Sequence, residues 1–336
     1  MPCSDKRKNS ESRIIRGWQI SVILLLFSII ALGLMMAIGV DFKVEQLREL
    51  FSKLGLPLIA GLLSLSVLNF ALRTFRWLWF SHNLKLNVPW QTSAVYYLAG
   101  FSMGVTPGRM GEFIRLWLLH RGHSISYHRA LPLLIGDRVN DLLVIIVLAL
   151  GAGLMIDSSS LIMIFSALAF VLSANLLLRY PRYLLKAVDG AFAASQRGRR
   201  IFAAARRTLK TGSVVFSAHN ATIASICSAV AWFAECLAFY LLLSSLGTSI
   251  SLETATFIYA FATLVGALSF LPGGLGGFEA TALIILNANG VDIGTSAFAI
   301  SVIRLTTLWF SVAVGSFLLT SVLFNKTSVH KSGSMT

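Results

Sequence analysis

Charge is scarce in this chain. Only 42 of its 336 residues are Lys, Arg, Asp or Glu, against roughly a quarter of a soluble globular domain, which excludes an ordinary soluble enzyme. Acid is scarcer than base, 14 residues against 28, for a formal net charge of +14. Such an excess can point to nucleic acid, but the basic residues stand in short connections between apolar blocks and build no folded basic domain, so no nucleic-acid partner is expected. Cysteine is nearly absent. Cys3 lies in the polar N-terminal tail, and Cys227 and Cys236 share one apolar segment about 13 Å apart along a helix, which leaves neither a disulfide framework nor a thiolate metal cluster. There is no P-loop, hence no ATPase motor, and no nucleophile constellation. His120, His123 and His128 have no Cys or acid at metal-ligand spacing and read as interfacial. No cofactor or metal is expected.

What the chain does have is apolar sequence, 56 % of residues at a mean hydropathy of +0.77, in blocks of the roughly 20 residues that a bilayer-crossing helix needs. The pattern predicts an all-α polytopic membrane protein. Full spans are predicted near 18–40, 55–80, 130–153, 159–178, 218–246 and 296–324. The first follows a basic tail (Lys6, Arg7, Lys8, Arg13, Arg16) like a signal peptide, but its 23 residues exceed the usual apolar region of one and no small-residue cleavage pattern closes it. Two further apolar stretches, 88–119 and 251–289, are interrupted at Pro107-Gly108 and at Pro272-Gly273-Gly274, leaving halves too short to cross alone.

Basic residues orient the spans, because retained cytoplasmic loops carry excess Lys and Arg. With the N-terminus inside and each interrupted stretch entering and leaving on one side, cytoplasmic segments hold 21 basic residues and outward segments hold 3. Both termini are therefore predicted to be cytoplasmic, with tails at 1–17 and 325–336. The segment Arg179 to Lys210, within a connection reaching 212, carries nine basic residues against Asp189 alone, interleaved with Leu184, Phe192, Ile201 and Leu209. It suits docking on an anionic lipid surface, or recruitment of a soluble pathway enzyme.

The two interruptions match. Pro107, Gly108, Arg109, Met110 and Gly111 parallel Pro272, Gly273, Gly274, Leu275 and Gly276; a glutamate follows each, Glu112 or Glu279, and then an arginine-bearing span, Arg138 or Arg304. The chain reads as span, span, broken hairpin, span, twice over: a first repeat over 18–153 and a second over 154–324. Three full spans per copy make the second copy inverted. Inverted repeats with discontinuous helices mark secondary transporters, with sites near the midplane where the repeats meet. The plainer alternative is that each proline merely kinks an ordinary span.

Charged residues inside spans are costly and are functional candidates by default. Asp137, Arg138 and Asp141 stand at i,i+3 and i,i+4 spacing, either as a self-neutralising cluster or with Arg138 free for a ligand. Glu235 and Arg304 are expected to pair with each other or to face a ligand. Arg73 and Arg76, amid Phe75, Trp77, Trp79 and Phe80, read as arginines snorkelling in an aromatic belt. Helices starting at Gly111 and Gly276 would aim free N–H groups at the midplane, with Glu112 and Glu279 either capping them or facing the cavity.

The Pro107 to Glu112 motif with Arg115 after it, together with the Pro272 to Glu279 motif, resembles the lysylphosphatidylglycerol synthase/flippase transmembrane domain, over most of Trp18 to Phe324. The resemblance implies movement of a phospholipid or polyprenyl-linked lipid between leaflets of a bacterial inner membrane. Members that make aminoacyl lipid carry a large soluble transferase domain; with only twelve residues after Phe324, that activity is not expected here. The substrate-binding candidates are Gly108, Arg109, Gly111, Glu112, Arg115, Asp137, Arg138, Asp141, Glu235, Gly273, Gly274, Gly276, Glu279 and Arg304. The alternatives to a translocase are a polyprenyl-dependent glycosyltransferase and a noncatalytic accessory subunit.

Overall fold

The computed structural model describes residues 44–106, 111–156, 199–269 and 271–332, and positions 169, 173 and 186 singly. The predicted spans 18–40 and 159–178, the motif residues Pro107, Gly108, Arg109 and Met110, and most of the basic segment before Arg199 lie outside them. The described residues form helices: α1 (Val44–Lys53), α2 (Leu56–Asn83), α3 (Trp90–Ala99) with a 3₁₀ turn (Gly100–Met103), α4 (Gly111–His123), α5 (Tyr127–Ile156) and α6 (Arg199–Val215). Next come α7 (Ala218–Ser245), α8 (Leu252–Leu268), a 3₁₀ turn (Pro272–Gly274), α9 (Gly277–Ala288), α10 (Ile293–Arg304), a π turn (Leu305–Trp309) and α11 (Phe310–Ser332).

Three stretches are long and apolar enough to cross a membrane: Leu56–Asn83, Ala218–Ser245 and the continuous run Ile293–Phe324. They overlap the predicted spans at 55–80, 218–246 and 296–324. The predicted span 130–153 lies within α5, whose 30 residues extend about 45 Å. The arms of the interrupted stretches are shorter. At 17 residues α8 reaches about 26 Å, and α9, with 12, about 18 Å; α3 and α4, with 10 and 13 residues, are of similar order. A hydrocarbon core is about 30 Å thick.

Element order recurs along the chain. α2 and α7 have 28 residues each, and α7 starts 162 positions after α2, as α8 does after α3; α9 and α10 start 166 positions after α4 and α5. The packing is reciprocal: α2 lies along α7, α5 lies on α8, and α11 lies on α3 and its 3₁₀ turn. Asn69 on α2 donates its amide to the Ala231 carbonyl of α7 at 2.8 Å, and position 231 is the counterpart of position 69 at that same offset. Small residues permit the close approach, since helices in lipid associate through packing and hydrogen bonds more than through the hydrophobic effect. A Cβ added at Gly315 of α11 would stand 2.8 Å from the Phe101 carbonyl carbon and closer still to the Ser102 nitrogen. Apolar packing falls into two cores, one around Trp77, Tyr97, Phe101 and Leu133, the other around Phe239, Tyr259, Phe278 and Phe298.

Candidate functional site

Each motif glutamate is held by the arginine of the helix that comes after it. Arg138 on α5 grips Glu112 at the start of α4 with two nitrogens, Nε donating to Oε2 at 2.5 Å and Nη2 meeting Oε1. Arg304 at the end of α10 donates from Nε to Glu279 Oε1 at 2.6 Å, and from Nη2 to the Gly273 carbonyl at 3.2 Å. The other oxygen of Glu279 accepts the Gly276 N–H at 2.6 Å, so this carboxylate caps α9 and anchors Arg304 at once. Of the two roles considered for the glutamates, Glu279 takes the cap, while Glu112 lines the cavity. The expected Glu235–Arg304 pair does not form. Glu235 instead accepts the Tyr259 hydroxyl at 2.8 Å.

Gly273, Gly274 and Gly276 have φ of 63°, 68° and 86°, a left-handed backbone that non-glycine residues rarely adopt. This turn carries α8 into α9 within a few residues. Gly273 also touches the first interruption: a Cβ there would lie 3.4 Å from Val105 Cα. Gly276 does not meet the other half, because its nearest neighbour is Leu271 of its own turn. Gly111 opens α4.

The acids of α5 correct the sequence reading. Asp137 and Asp141 do not chiefly neutralise Arg138; they are the partners of Arg73 and Arg76, which are buried and do not snorkel. Asp141 accepts from Arg73 at 2.8 Å and Arg76 at 2.7 Å, and from the Trp232 indole at 3.1 Å. Asp137 accepts from Arg76 and, at 3.3 Å, from Arg115. The Arg115 guanidinium stacks 3.9 Å from the Tyr97 ring centroid and donates to the Tyr97 carbonyl. The physical reason is cost: a guanidinium left facing lipid is expensive, whereas two acids one helical turn apart offer bidentate partners. Arg138 remains 3.7 Å from Asp141 and 3.9 Å from Asp137, behind its Glu112 contact.

Beside this network lies a half-open cavity of about 110 Å³, well above the 10–15 Å³ or so that admits one water. It is lined by Arg73, Arg115, Arg138 and Arg304 and by Glu112 and Glu235, with Tyr259, Trp232, Gly273 and Thr307 among the other walls. Both halves of the chain contribute. The four guanidinium groups outnumber the two carboxylates, an arrangement suited to an anion, and an arginine presents a planar fork that fits phosphate. Among the described residues, no group of His, Cys, Asp and Glu is placed to hold a metal ion.

Of the predicted site residues, Glu112, Arg115, Arg138, Glu235, Gly273 and Arg304 line this space. Asp137, Asp141 and Glu279 stand behind its arginines, Gly274 and Gly276 shape the turn, and Gly108 and Arg109 lie outside the described residues. Sequence reasoning missed Arg73, Tyr259, Trp232 and the π turn. A usable signal was present for Arg73: two arginines and two aspartates at helical spacing, on separate apolar segments and of opposite sign.

The family model described as the lysylphosphatidylglycerol synthase TM region matches residues 19–315. A "UPF0104 membrane protein" of Methanothermobacter thermautotrophicus is 27 % identical over 316 residues, covering 87 % of this chain and 93 % of that protein. A phosphatidylglycerol lysyltransferase of Staphylococcus xylosus is 32 % identical over 96 residues, 29 % of this chain and 11 % of that protein.

Proposed function

This chain belongs to the lysylphosphatidylglycerol synthase transmembrane-region family, and from that premise we propose that it carries an anionic lipid headgroup between leaflets through the arginine-lined cavity. The observation that carries the reading is the composition of that cavity: four arginines drawn from both halves of the chain, two of them latched to the motif glutamates. A phosphate entering there competes with Glu112 for Arg138 and with Glu279 for Arg304, while the acyl chains stay in lipid. Recurrent element order, reciprocal packing and interrupted arms shorter than a bilayer support two inverted repeats of three spans with a re-entrant hairpin each. The π turn beginning just after Arg304 supports a working site, since such turns occur often at functional positions. Alternating access is then a rocking of one repeat against the other, loosening one glutamate–arginine latch as the other closes.

The test is reconstitution of the full chain in liposomes holding fluorescent phosphatidylglycerol, with an impermeant reductant reporting leaflet exchange. Exchange above protein-free vesicles is expected, and Arg138→Leu and Arg304→Leu should each abolish it while still inserting. Normal exchange in both variants places the headgroup elsewhere. For orientation, cysteines at Ser158 and Asp292 should react with an impermeant thiol reagent in intact cells and one at Ser195 should not.

A further inference from the structure

Around the cavity stand five arginines, Arg73, Arg76, Arg115, Arg138 and Arg304, and five carboxylates, Glu112, Asp137, Asp141, Glu235 and Glu279. Four of the carboxylates have an arginine nitrogen within ion-pair distance. Glu235 does not, among the described residues. It is 6 % exposed, its hydrogen-bond partner is the Tyr259 hydroxyl, and it lines the cavity itself. The titratable and charged groups that act on it electrostatically from the surrounding helices are Arg73 on α2, Asp141 on α5, Tyr259 on α8 and Arg304 on α10, with Cys236 next to it in sequence on α7. The α6 helix bonds α7 at Asn220, through the Val214 carbonyl, fifteen residues before Glu235.

With all ten groups ionised the set is neutral, so a bound phosphate monoanion leaves one negative charge buried without compensation. Such a charge is costly in a low-dielectric interior, and the usual resolution is neutralisation by a proton. Protonating any of the other four carboxylates would undo an ion pair. Protonating Glu235 undoes none, and the acid so formed still accepts the Tyr259 hydrogen bond while gaining a donor for the cavity.

We infer that Glu235 is a proton-binding site that fills together with the anion, so that each headgroup phosphate enters the cavity with about one proton. The inference rests on the proposed reading of the cavity and adds its coupling ion. Proton and phosphate stabilise one another's binding by linkage, so anion affinity rises as pH falls. No covalent step is involved: a proton moves from water to a Glu235 carboxylate oxygen and returns to water when the anion leaves.

The experiment uses the purified full chain in detergent with glycerophosphoglycerol, the deacylated lipid, whose phosphodiester stays a monoanion where a phosphomonoester would itself titrate at about pH 6, and follows binding by calorimetry in buffers of different ionisation enthalpy. About one proton should be taken up per anion, and affinity should fall about tenfold per pH unit above the pH at which Glu235 ionises in the empty protein. Glu235→Gln, which keeps an acceptor for Tyr259, should bind with pH-independent affinity and no proton uptake. Melting midpoints of both proteins, measured alongside, separate a folding defect from lost coupling; should Glu235→Gln not fold, Tyr259→Phe replaces it and should shift the pH at which affinity breaks. Binding without proton uptake, uptake that persists in Glu235→Gln, or no binding at any pH overturns the inference. The translocase reading fails separately: proton-coupled binding with no lipid exchange in liposomes ends that reading and leaves the proton site standing, whereas exchange without proton uptake does the reverse.

Discussion

The two halves share a latch and differ in what stands behind it. At the offsets of 162 and 166 positions between corresponding helices, Tyr97 is matched by Tyr259 and Arg138 by Arg304, but Arg73 is matched by Glu235, Arg76 by Ala238, Arg115 by Thr281, Asp137 by Ile303 and Asp141 by Thr307. The first half braces α2, α4 and α5 with a buried charge network. The second replaces most of it with apolar packing around Phe239, Phe278 and Phe298, and where the first has Arg73 it sets an acid, Glu235, that pairs with a phenol. A recurring order of helices thus does not require recurring chemistry. What both halves retain, the Glu–Arg latch, is what the proposed movement needs, and what only one retains gives the cavity its asymmetry.

The largest effect should come from Arg76→Met. It strips Asp137 and Asp141 of a shared, fully buried partner, and breaking such a pair costs about 3–5 kcal/mol, enough to lose most folded protein in a thermal aggregation assay. Arg304→Met in the other half removes one ion pair at a side chain 12 % exposed and should cost about 1–3 kcal/mol. Equal losses would mean that the two halves are braced alike. A sharper contrast lies where each half's last helix crosses the other half. Gly315→Ala drives a methyl into backbone of the first 3₁₀ turn and should cost about 1–3 kcal/mol, whereas a Cβ at Gly153 meets the Phe257 ring at an acceptable 3.4 Å and Gly153→Ala should be neutral or stabilising by up to about 1 kcal/mol. Chemical denaturation of the pair in mixed micelles measures the difference.

The smallest effect concerns helix starts. Asp292 precedes α10 and accepts the Gly294 and Thr295 N–H groups at 3.0 and 2.8 Å, where Ser126 precedes α5. The Thr295 N–H, then the other bonds, holds the Asp292 carboxyl below its ordinary range. A depressed folded value means that its contribution is complete above the unfolded pKa of about 3.9 and fades as pH falls through the folded one. Asp292→Ala should cost about 1 kcal/mol at neutral pH, with the gap to wild type narrowing in acid. A gap constant down to strongly acid pH would show that the cap does not act through charge.

The latches were half legible from sequence. Matching Pro-Gly breaks, the glutamates after them and the arginines downstream stand at fixed chain distances, and helical spacing places each in its element. What periodicity cannot state is which helix lies beside which. Arg73 and Arg76 carry the local marks of an aromatic belt, and only the packing of α2 against α5 and α7 brings Asp137, Asp141 and Trp232 to them. Glu235 and Arg304 looked like natural partners because both are lone charges in spans. Glu279 takes Arg304 because the glycine turn folds it back onto α10, a result of three positive φ angles that sequence suggested only as a break.

The π turn at Leu305–Trp309 makes the length of this helix a variable in its own right. A π turn takes up one residue more than an α turn, and each residue of α winding is about 100°, so rewinding these same residues as ordinary α-helix would swing Gly315 off Ser102 while leaving Arg304 on Glu279. The fit of the two halves at this crossing is set by a count of residues as much as by their identities. In descendants of this gene, a single-codon deletion here could be absorbed by loss of the π turn, whereas a substitution that rewound the turn at constant length would re-aim one half against the other with no side chain of the cavity exchanged.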